Sequence, residues 1–363
     1  DPSNGEILGM ASYPTFDLND PRKLTSLYTE DEIKDMSDEE YRNNLYSLWT
    51  NYCVSESYEP GSTFKPVTVA SALEEGVVKD GDTYVCKGFE NVADYTLKCH
   101  VFNTIGSHGS LTLEQALMNS CNPYMIHLAL EMGNSRFAYY QSLFGFGKTT
   151  GIDLPGETTG IVYGDRMTTI DAACNSFGQT INVNMMQMMA AYCSIINGGM
   201  LYQPHIVKRI ESANGEVVKE YKANLVRQTI TASTSKLLRR YLKSTVEEGT
   251  AKKAGVTGYS VAGKTGTAQK GDRKDNKWLI SFIGHAPAEN PKFAIYVIID
   301  EPYGTTGTSG SSADVLTLTH NILEKLLPYM NVYKDASDEY EDTSSSPDEL
   351  TVDGIPAGTA SSN

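Results

Sequence analysis

The 363-residue sequence is short of cysteine, of basic charge and of long apolar runs, and each shortage excludes something. Six cysteines are too few for a disulfide scaffold at this length. With 30 basic against 45 acidic residues the net charge is -15, which argues against nucleic acid or an anionic membrane surface as partner, since both are polyanions. No stretch approaches the roughly 20 apolar residues that span a bilayer, and no signal peptide opens the chain. An initiator Met and internal repeats are missing too. Asp1-Pro2-Ser3-Asn4-Gly5-Glu6-Ile7-Leu8-Gly9 reads as a turn entering a strand, so the sequence is expected to be a piece of a longer protein. What is present is ordinary for a soluble globular chain: 40% hydrophobic and 21% charged residues, enough for a sizeable core in one large domain or two smaller ones.

The acidity is partly local. From Lys334 to Asn363 eight acids face one lysine among Ser, Thr, Gly and Pro, so residues 334–363 read as a disordered acidic tail. Five of the six cysteines fall into two groups. Cys121, Cys174 and Cys193 lie in apolar, helix-like surroundings and read as buried free thiols. Cys86 and Cys99 flank a Gly-containing, hairpin-like stretch, where pairing in an oxidising compartment and staying free are equally open. A zinc reading of these two with His100 and His108 lacks a proper four-ligand spacing, and no metal or cofactor is expected.

Along the chain, Gly5–Ser12 is a short strand candidate, and residues 30–46 form an amphipathic helix within an acidic insert near 23–48. Leu111–Gly133 reads as two helical pieces, the first capped by Thr112 with Gln115, the second opened by Asn122-Pro123. Met-rich residues 183–196, Ser233–Glu248 and residues 312–330 are further helices. Between the last two the period drops to two. Tyr259–Gln269 is a strand, and Lys277–Gly284 with Lys292–Asp300 forms a hairpin. Helices, then an antiparallel run, with one early strand, predict an α/β fold whose sheet packs between helical layers.

Three short motifs carry chemistry together. Ser62-Thr63-Phe64-Lys65 follows Tyr58-Glu59-Pro60-Gly61 at a helix start, where i and i+3 share a face and the amine can lie beside the hydroxyl. Ser120-Cys121-Asn122 stands where two helical pieces join; the plain alternative is Asn122 as an N-cap. Lys264-Thr265-Gly266-Thr267 lies on the late strand, where glycines at 263 and 266 make sense if another backbone, such as a peptide substrate, approaches closely. The first two are weak alone, because Ser233-Thr234-Ser235-Lys236, Ser212-Ala213-Asn214 and Ser361-Ser362-Asn363 match them as well. Only one combination keeps a helix start, a helix junction and a late strand in order. Gly147-Lys148-Thr149 is no nucleotide-binding loop, since Ser142 replaces its first glycine.

Ser-x-x-Lys, Ser-x-Asn and Lys-Thr-Gly in this order are the signature of penicillin-binding proteins and serine β-lactamases. Over about residues 1–330 the sequence resembles the transpeptidase domain of class B penicillin-binding proteins. Phe144-Gly145-Phe146-Gly147, Thr150-Gly151-Ile152-Asp153-Leu154-Pro155-Gly156-Glu157, Ser176-Phe177-Gly178-Gln179 and Asn197-Gly198-Gly199 are further landmarks. The insert at 23–48 and Tyr52-Cys53 depart from the pattern without touching the motifs. The resemblance implies one domain over 1–333, with an antiparallel sheet of about five strands packed between helices beside an all-helical subdomain. It implies acylation of Ser62 by D-Ala-D-Ala stem peptides, which are then cross-linked to a neighbouring strand, and inhibition by β-lactams at the same serine. Lys65 would be the base, its pKa lowered by partial burial and by Lys264 as a nearby cation; Ser120 would relay a proton and Asn122 orient Lys65 and the peptide carbonyl. Thr265, Thr267 and Lys264 would hold the substrate carboxylate, Gly266 would line the strand, and backbone N–H groups of Ser62 and Thr267 would form the oxyanion hole. It also implies an extracytoplasmic location, an anchor upstream and other cell-wall synthesis proteins as partners. A carboxypeptidase or β-lactamase is the nearest alternative, a β-lactam sensor the next.

Overall fold

Side-chain caps written into the sequence start most of the helices. The computed structural model describes residues 1–271, 277–302 and 311–335. Helices α1 (Glu30–Asp35) and α2 (Asp38–Trp49) open on capping boxes, Thr29 with Glu32 and Ser37 with Glu40. They replace the single helix expected over 30–46, because Met36 and Ser37 are extended between them. Leu24, Leu45 and Leu48 bury a small cluster of their own there. After α3 (Tyr52–Ser55), a 3-10 turn over Gly61–Phe64 runs straight into α4 (Lys65–Glu75), which Gly76 stops at φ 74°.

Two antiparallel ribbons follow, β1 (Thr83–Cys86) with β4 (Gly109–Thr112) and β2 (Phe89–Val92) with β3 (Tyr95–Lys98). Helices α5 (Leu113–Met118), α6 (Asn122–Met132), α7 (Asn134–Leu143), α8 (Thr169–Asn175) and α9 (Met185–Ile196) build a helical body around α4, which is buried from Lys65 to Ala72. The predicted Thr112–Gln115 box is present, and Asn184 with Gln187 makes another for α9. Strands β5 (Met200–Tyr202) and β8 (Leu225–Gln228) pair, as do β6 (Arg209–Glu211) and β7 (Val217–Glu220). Thr231 caps α10 (Ala232–Glu247).

The central sheet is β9 (Ala262–Lys270), β10 (Lys277–Ala286) and β11 (Phe293–Asp300), antiparallel in the order β11-β10-β9. Its middle strand is buried on both faces, so its alternation sorts residues between two cores rather than between core and water. Leu279 and Ile283 join the helical body; Ile280, Phe282 and Ala286 join the last helix, α11 (Ala313–Tyr329), through Val315, Leu316, Leu323 and Leu327. The expected layering, a sheet between helices beside a helical part, is therefore present. Among the described residues that sheet has three strands rather than about five. Gly5–Ser12 is not one of them: it makes a single parallel bridge, Glu6 with His205, held by Ile7 N–H to the His205 carbonyl at 2.9 Å. Among the described residues no helix is long and apolar enough to cross a membrane. The disordered tail expected over 334–363 lies, from 336 onward, outside the described residues.

Candidate active site

The 3-10 turn that carries Ser62 is gripped between two other stretches of main chain. Gly61 donates its N–H to the Gly178 carbonyl at 2.9 Å, and a Cβ on Gly178 would stand 2.0 Å from the Gly61 carbonyl oxygen. On the other side, a Cβ on Gly61, whose φ is 56°, would stand 2.5 Å from the Thr267 carbonyl oxygen of β9. Only glycine permits both approaches. Gly266 completes the contact, since a Cβ there would meet Ser281 Oγ at 2.3 Å and the Pro60 carbonyl oxygen at 2.9 Å. The backbone that a Cβ at Gly266 would meet is the chain's own turn. Gly263 has a packing reason, the Phe282 ring.

Lys65 is the first residue of α4, one turn on from Ser62, and is fully buried. Its Nζ donates to the Ser120 carbonyl at 2.7 Å, to Ser120 Oγ at 2.9 Å and to Asn122 Oδ1 at 2.7 Å. Ser120 Oγ in turn donates to Ser62 Oγ at 3.0 Å. The four side chains, two local pairs that the sequence separates by 55 residues or more, thus form one hydrogen-bonded chain, in which the Ser120 hydroxyl bridges amine and Ser62 hydroxyl. Ser120 holds this place with φ at 56°, in the left-handed region that a non-glycine residue adopts at a cost of about 1 kcal/mol or more. Asn122 is not the N-cap its sequence context suggests. Cys121 occupies the cap, without a side-chain bond, which frees the Asn122 amide to take Lys65 on its oxygen and to donate to the Lys98 carbonyl at 3.3 Å.

On β9, Lys264 is also fully buried, and its Nζ turns back to the Thr265 carbonyl and Thr265 Oγ1, both at 3.3 Å. It does reach around the strand, as period two requires. Thr265 Oγ1 donates to Thr250 Oγ1 at 3.3 Å, and Thr267 Oγ1 lies 3.3 Å from Ser312 Oγ. The electrostatics differ from expectation in emphasis. Burial pushes the Lys65 amine down to about 8, with the Cys99 and Cys121 thiols pulling the other way. Lys264 is pushed well below the usual lysine range, by burial first and then by the charge on Lys65. The lower pKa of Lys65 is therefore owed first to desolvation, and Lys264 is pushed down by its own burial and by the mutual repulsion of the two amines.

Several residues that shape the site carry no motif. Gly61 and Gly178 set the turn, Thr68 ties α4 to the Ser176 carbonyl at 2.8 Å, and Thr63 Oγ1 holds the Pro60 carbonyl at 2.7 Å. The Gly178 landmark within Ser176-Phe177-Gly178-Gln179 was the available signal; nothing in sequence marks Thr250. Directly behind Asn122, Cys86, Cys99, His108 and Cys121 bring their ligand atoms within 4.8 Å of one another. All six cysteines are free thiols, so Cys86 and Cys99 are not joined. Cys121, read from sequence as an ordinary buried thiol, belongs to this group, and His100 does not.

Residues 1–324 match the family described as the penicillin-binding protein transpeptidase domain. The chain is 39% identical over 337 residues to stage V sporulation protein D of Bacillus subtilis, covering 91% of this chain and 48% of that protein. It is 30% identical over 342 residues to the peptidoglycan D,D-transpeptidase FtsI of Escherichia coli, covering 93% and 51%. The chain thus spans about half the length of these relatives. Among solved structures, the D,D-transpeptidase domain of a peptidoglycan glycosyltransferase from Eggerthella lenta is similar at a TM-score of 0.74 and 28% identity, covering 90% of this chain and 76% of that one. Penicillin-binding protein 3 from Mycobacterium tuberculosis complexed with aztreonam is similar at 0.71 and 30%, covering 78% and 65%.

Proposed function

Because the chain belongs to the penicillin-binding protein transpeptidase domain family, we propose that it is a serine acyltransferase that cross-links peptidoglycan, with Ser62 as nucleophile. The observation that carries this reading is the run Lys65 Nζ, Ser120 Oγ, Ser62 Oγ at 2.9 and 3.0 Å, behind a strand that bears Lys264-Thr265-Gly266-Thr267. A serine hydroxyl needs a base before it can attack a carbonyl, and a lysine serves only when neutral. An amine held near 8 is within reach of that state at neutral pH.

In the forward half-reaction Ser62 Oγ attacks the carbonyl of the penultimate D-Ala, and its proton passes through Ser120 towards Lys65. Backbone N–H groups of Ser62 and Thr267 receive the developing oxyanion. Collapse of the intermediate breaks the C–N bond, and the departing D-Ala takes the proton back through Ser120. An amine from a neighbouring strand then attacks the ester, restoring the Ser62 hydroxyl. Thr265, Thr267 and Lys264 hold the terminal carboxylate of the donor. That carboxylate recharges Lys264, and the recharged Lys264 keeps Lys65 neutral, so binding itself prepares the base. β-Lactams acylate Ser62 as mimics of the same dipeptide. The reaction is placed outside the cytoplasmic membrane, where the parent protein works with other wall-synthesis proteins.

A hydrolytic outcome would need a base for water. Glu59, the acid closest in sequence to Ser62, has one carboxylate oxygen accepting Thr180 N–H at 2.9 Å. Intact-mass spectrometry after benzylpenicillin tests the proposal. A single adduct lasting many minutes on the wild type and absent from Ser62→Ala supports it; release within seconds favours a β-lactamase, and an adduct on Ser62→Ala moves the nucleophile elsewhere.

A further inference from the structure

We propose that Cys86, Cys99, His108 and Cys121 form a structural zinc site that fixes the Ser120-Cys121-Asn122 segment. The four ligand atoms lie within 4.8 Å of one another, and Cys99 Sγ is 3.6 Å from His108 Nδ1. With Zn–S of about 2.3 Å and Zn–N of about 2.1 Å, the edges of a tetrahedron are about 3.8 Å between sulfurs and about 3.6 Å between sulfur and nitrogen. The cluster is already near that size. Three thiols and one imidazole are a donor set that suits zinc better than hard cations.

Burial and main-chain geometry support the same reading. Cys86, Cys99 and Cys121 are all buried, out of reach of bulk thiols and water. Each sulfur faces a backbone N–H two or three residues on: Gly88 N–H donates to Cys86 Sγ at 3.4 Å, Val101 N–H serves Cys99, and Tyr124 N–H serves Cys121; the distant Asn122 N–H adds a second donor to Cys99. Such donors orient sulfur and stabilise it as a metal-bound thiolate. Gly88, at φ 90°, turns the chain so that its carbonyl also receives Cys99 N–H at 2.8 Å.

The four ligands come from four places: the end of β1, the residue after β3, the residue before β4 and the cap of α6. Cys86 is the register partner of Gly109, so the β1–β4 ribbon already sets Cys86 beside His108. The ion would tie this ribbon to the residue that separates Ser120 from Asn122. It would do so without touching the reacting atoms. Its role is therefore positional: it holds Ser120 in its left-handed conformation and Asn122 against Lys65.

The test uses the whole chain, purified without chelator and with zinc present during expression. Elemental analysis is expected to give one zinc per chain, and cobalt(II) exchanged into the site is expected to show thiolate charge-transfer and tetrahedral d–d bands. His108→Ala should weaken metal binding at least about tenfold, whereas His100→Ala, beside the cluster but outside it, should leave it intact. If His108→Ala fails to fold, Cys99→Ser in the cobalt titration gives the same readout through lost charge-transfer intensity. Removing the ion from the wild type with a strong chelator should lower the melting temperature and slow benzylpenicillin acylation, and added zinc should restore both. Free thiols with less than a tenth of an equivalent of metal, or a Cys86–Cys99 disulfide seen as a two-dalton loss by intact mass, overturns the inference.

Discussion

Lys65 and Ser120, to which the proposed mechanism assigns the proton transfers, stand in two unusual residue states, a buried amine and a left-handed serine. Because burial lowers Lys65 from 10.5 to about 8, its neutral fraction grows as pH rises through about 8. Benzylpenicillin acylation is accordingly expected to accelerate from about pH 6 to about pH 9 and then level off; a flat profile would falsify Lys65 as base. The same shift has a stability sign. The folded state holds the proton less tightly than the unfolded chain, so the cost of burying the charge is fully present below about 8 and fades as pH climbs towards 10.5. Lys65→Arg keeps the charge but cannot release it, and should cut acylation by about 10² to 10⁴ with the fold retained by circular dichroism. Ser120 allows a paired test. Ser120→Ala and Ser120→Gly both remove the bridging hydroxyl and should slow acylation alike, yet only the glycine relieves the φ of 56° and should gain about 1 kcal/mol in denaturant unfolding. These residues were legible in sequence because each motif is local. That Cys121 rather than Asn122 caps α6 was not legible, because the Asn122 side chain is drawn off by Lys65 and the Lys98 carbonyl, both more than 20 residues away.

At the scale of elements, β9 and the Gly61–Phe64 turn are one unit, since Gly266 sits against the Pro60 carbonyl and Gly61 against that of Thr267. Gly266→Ala is expected to cost about 1–3 kcal/mol through overpacking, and to lower acylation beyond what the change in melting temperature explains, as it drives the strand off the turn. Equal losses in activity and in folded fraction would argue that the contact is merely structural. Strand β9, the β10–β11 hairpin and helices α9, α10 and α11 could be read from period and caps almost to their ends. The early strand could not: Gly5–Ser12 has the right residues, but a strand exists only where a neighbour offers its edge, and here the neighbour is His205 alone. The glycines of β9 were legible as marks of a close neighbour, but not that the chain's own turn and the Phe282 ring supply it, because sequence does not say what lies across a strand.

For the whole molecule, the sheet divides two cores, and the site lies on the side of the helical body. The core under α11 should therefore be separable from the chemistry. Leu323→Ala, at a fully buried position there, is expected to cost about 2–5 kcal/mol in chemical unfolding while leaving the acylation rate of the folded protein within about twofold at a permissive temperature. A large loss of rate in folded protein would show instead that the two cores are coupled. The main-chain grip on the Ser62 turn has one more consequence. Three backbones in contact fix the turn, and the side chains of Thr63 and Thr68 only add to that hold. If Ser62 acts as proposed, a substitution that hides it from an acylating drug by moving this turn also withdraws it from its own substrate, so evasion falls to residues outside the frame that aims the hydroxyl.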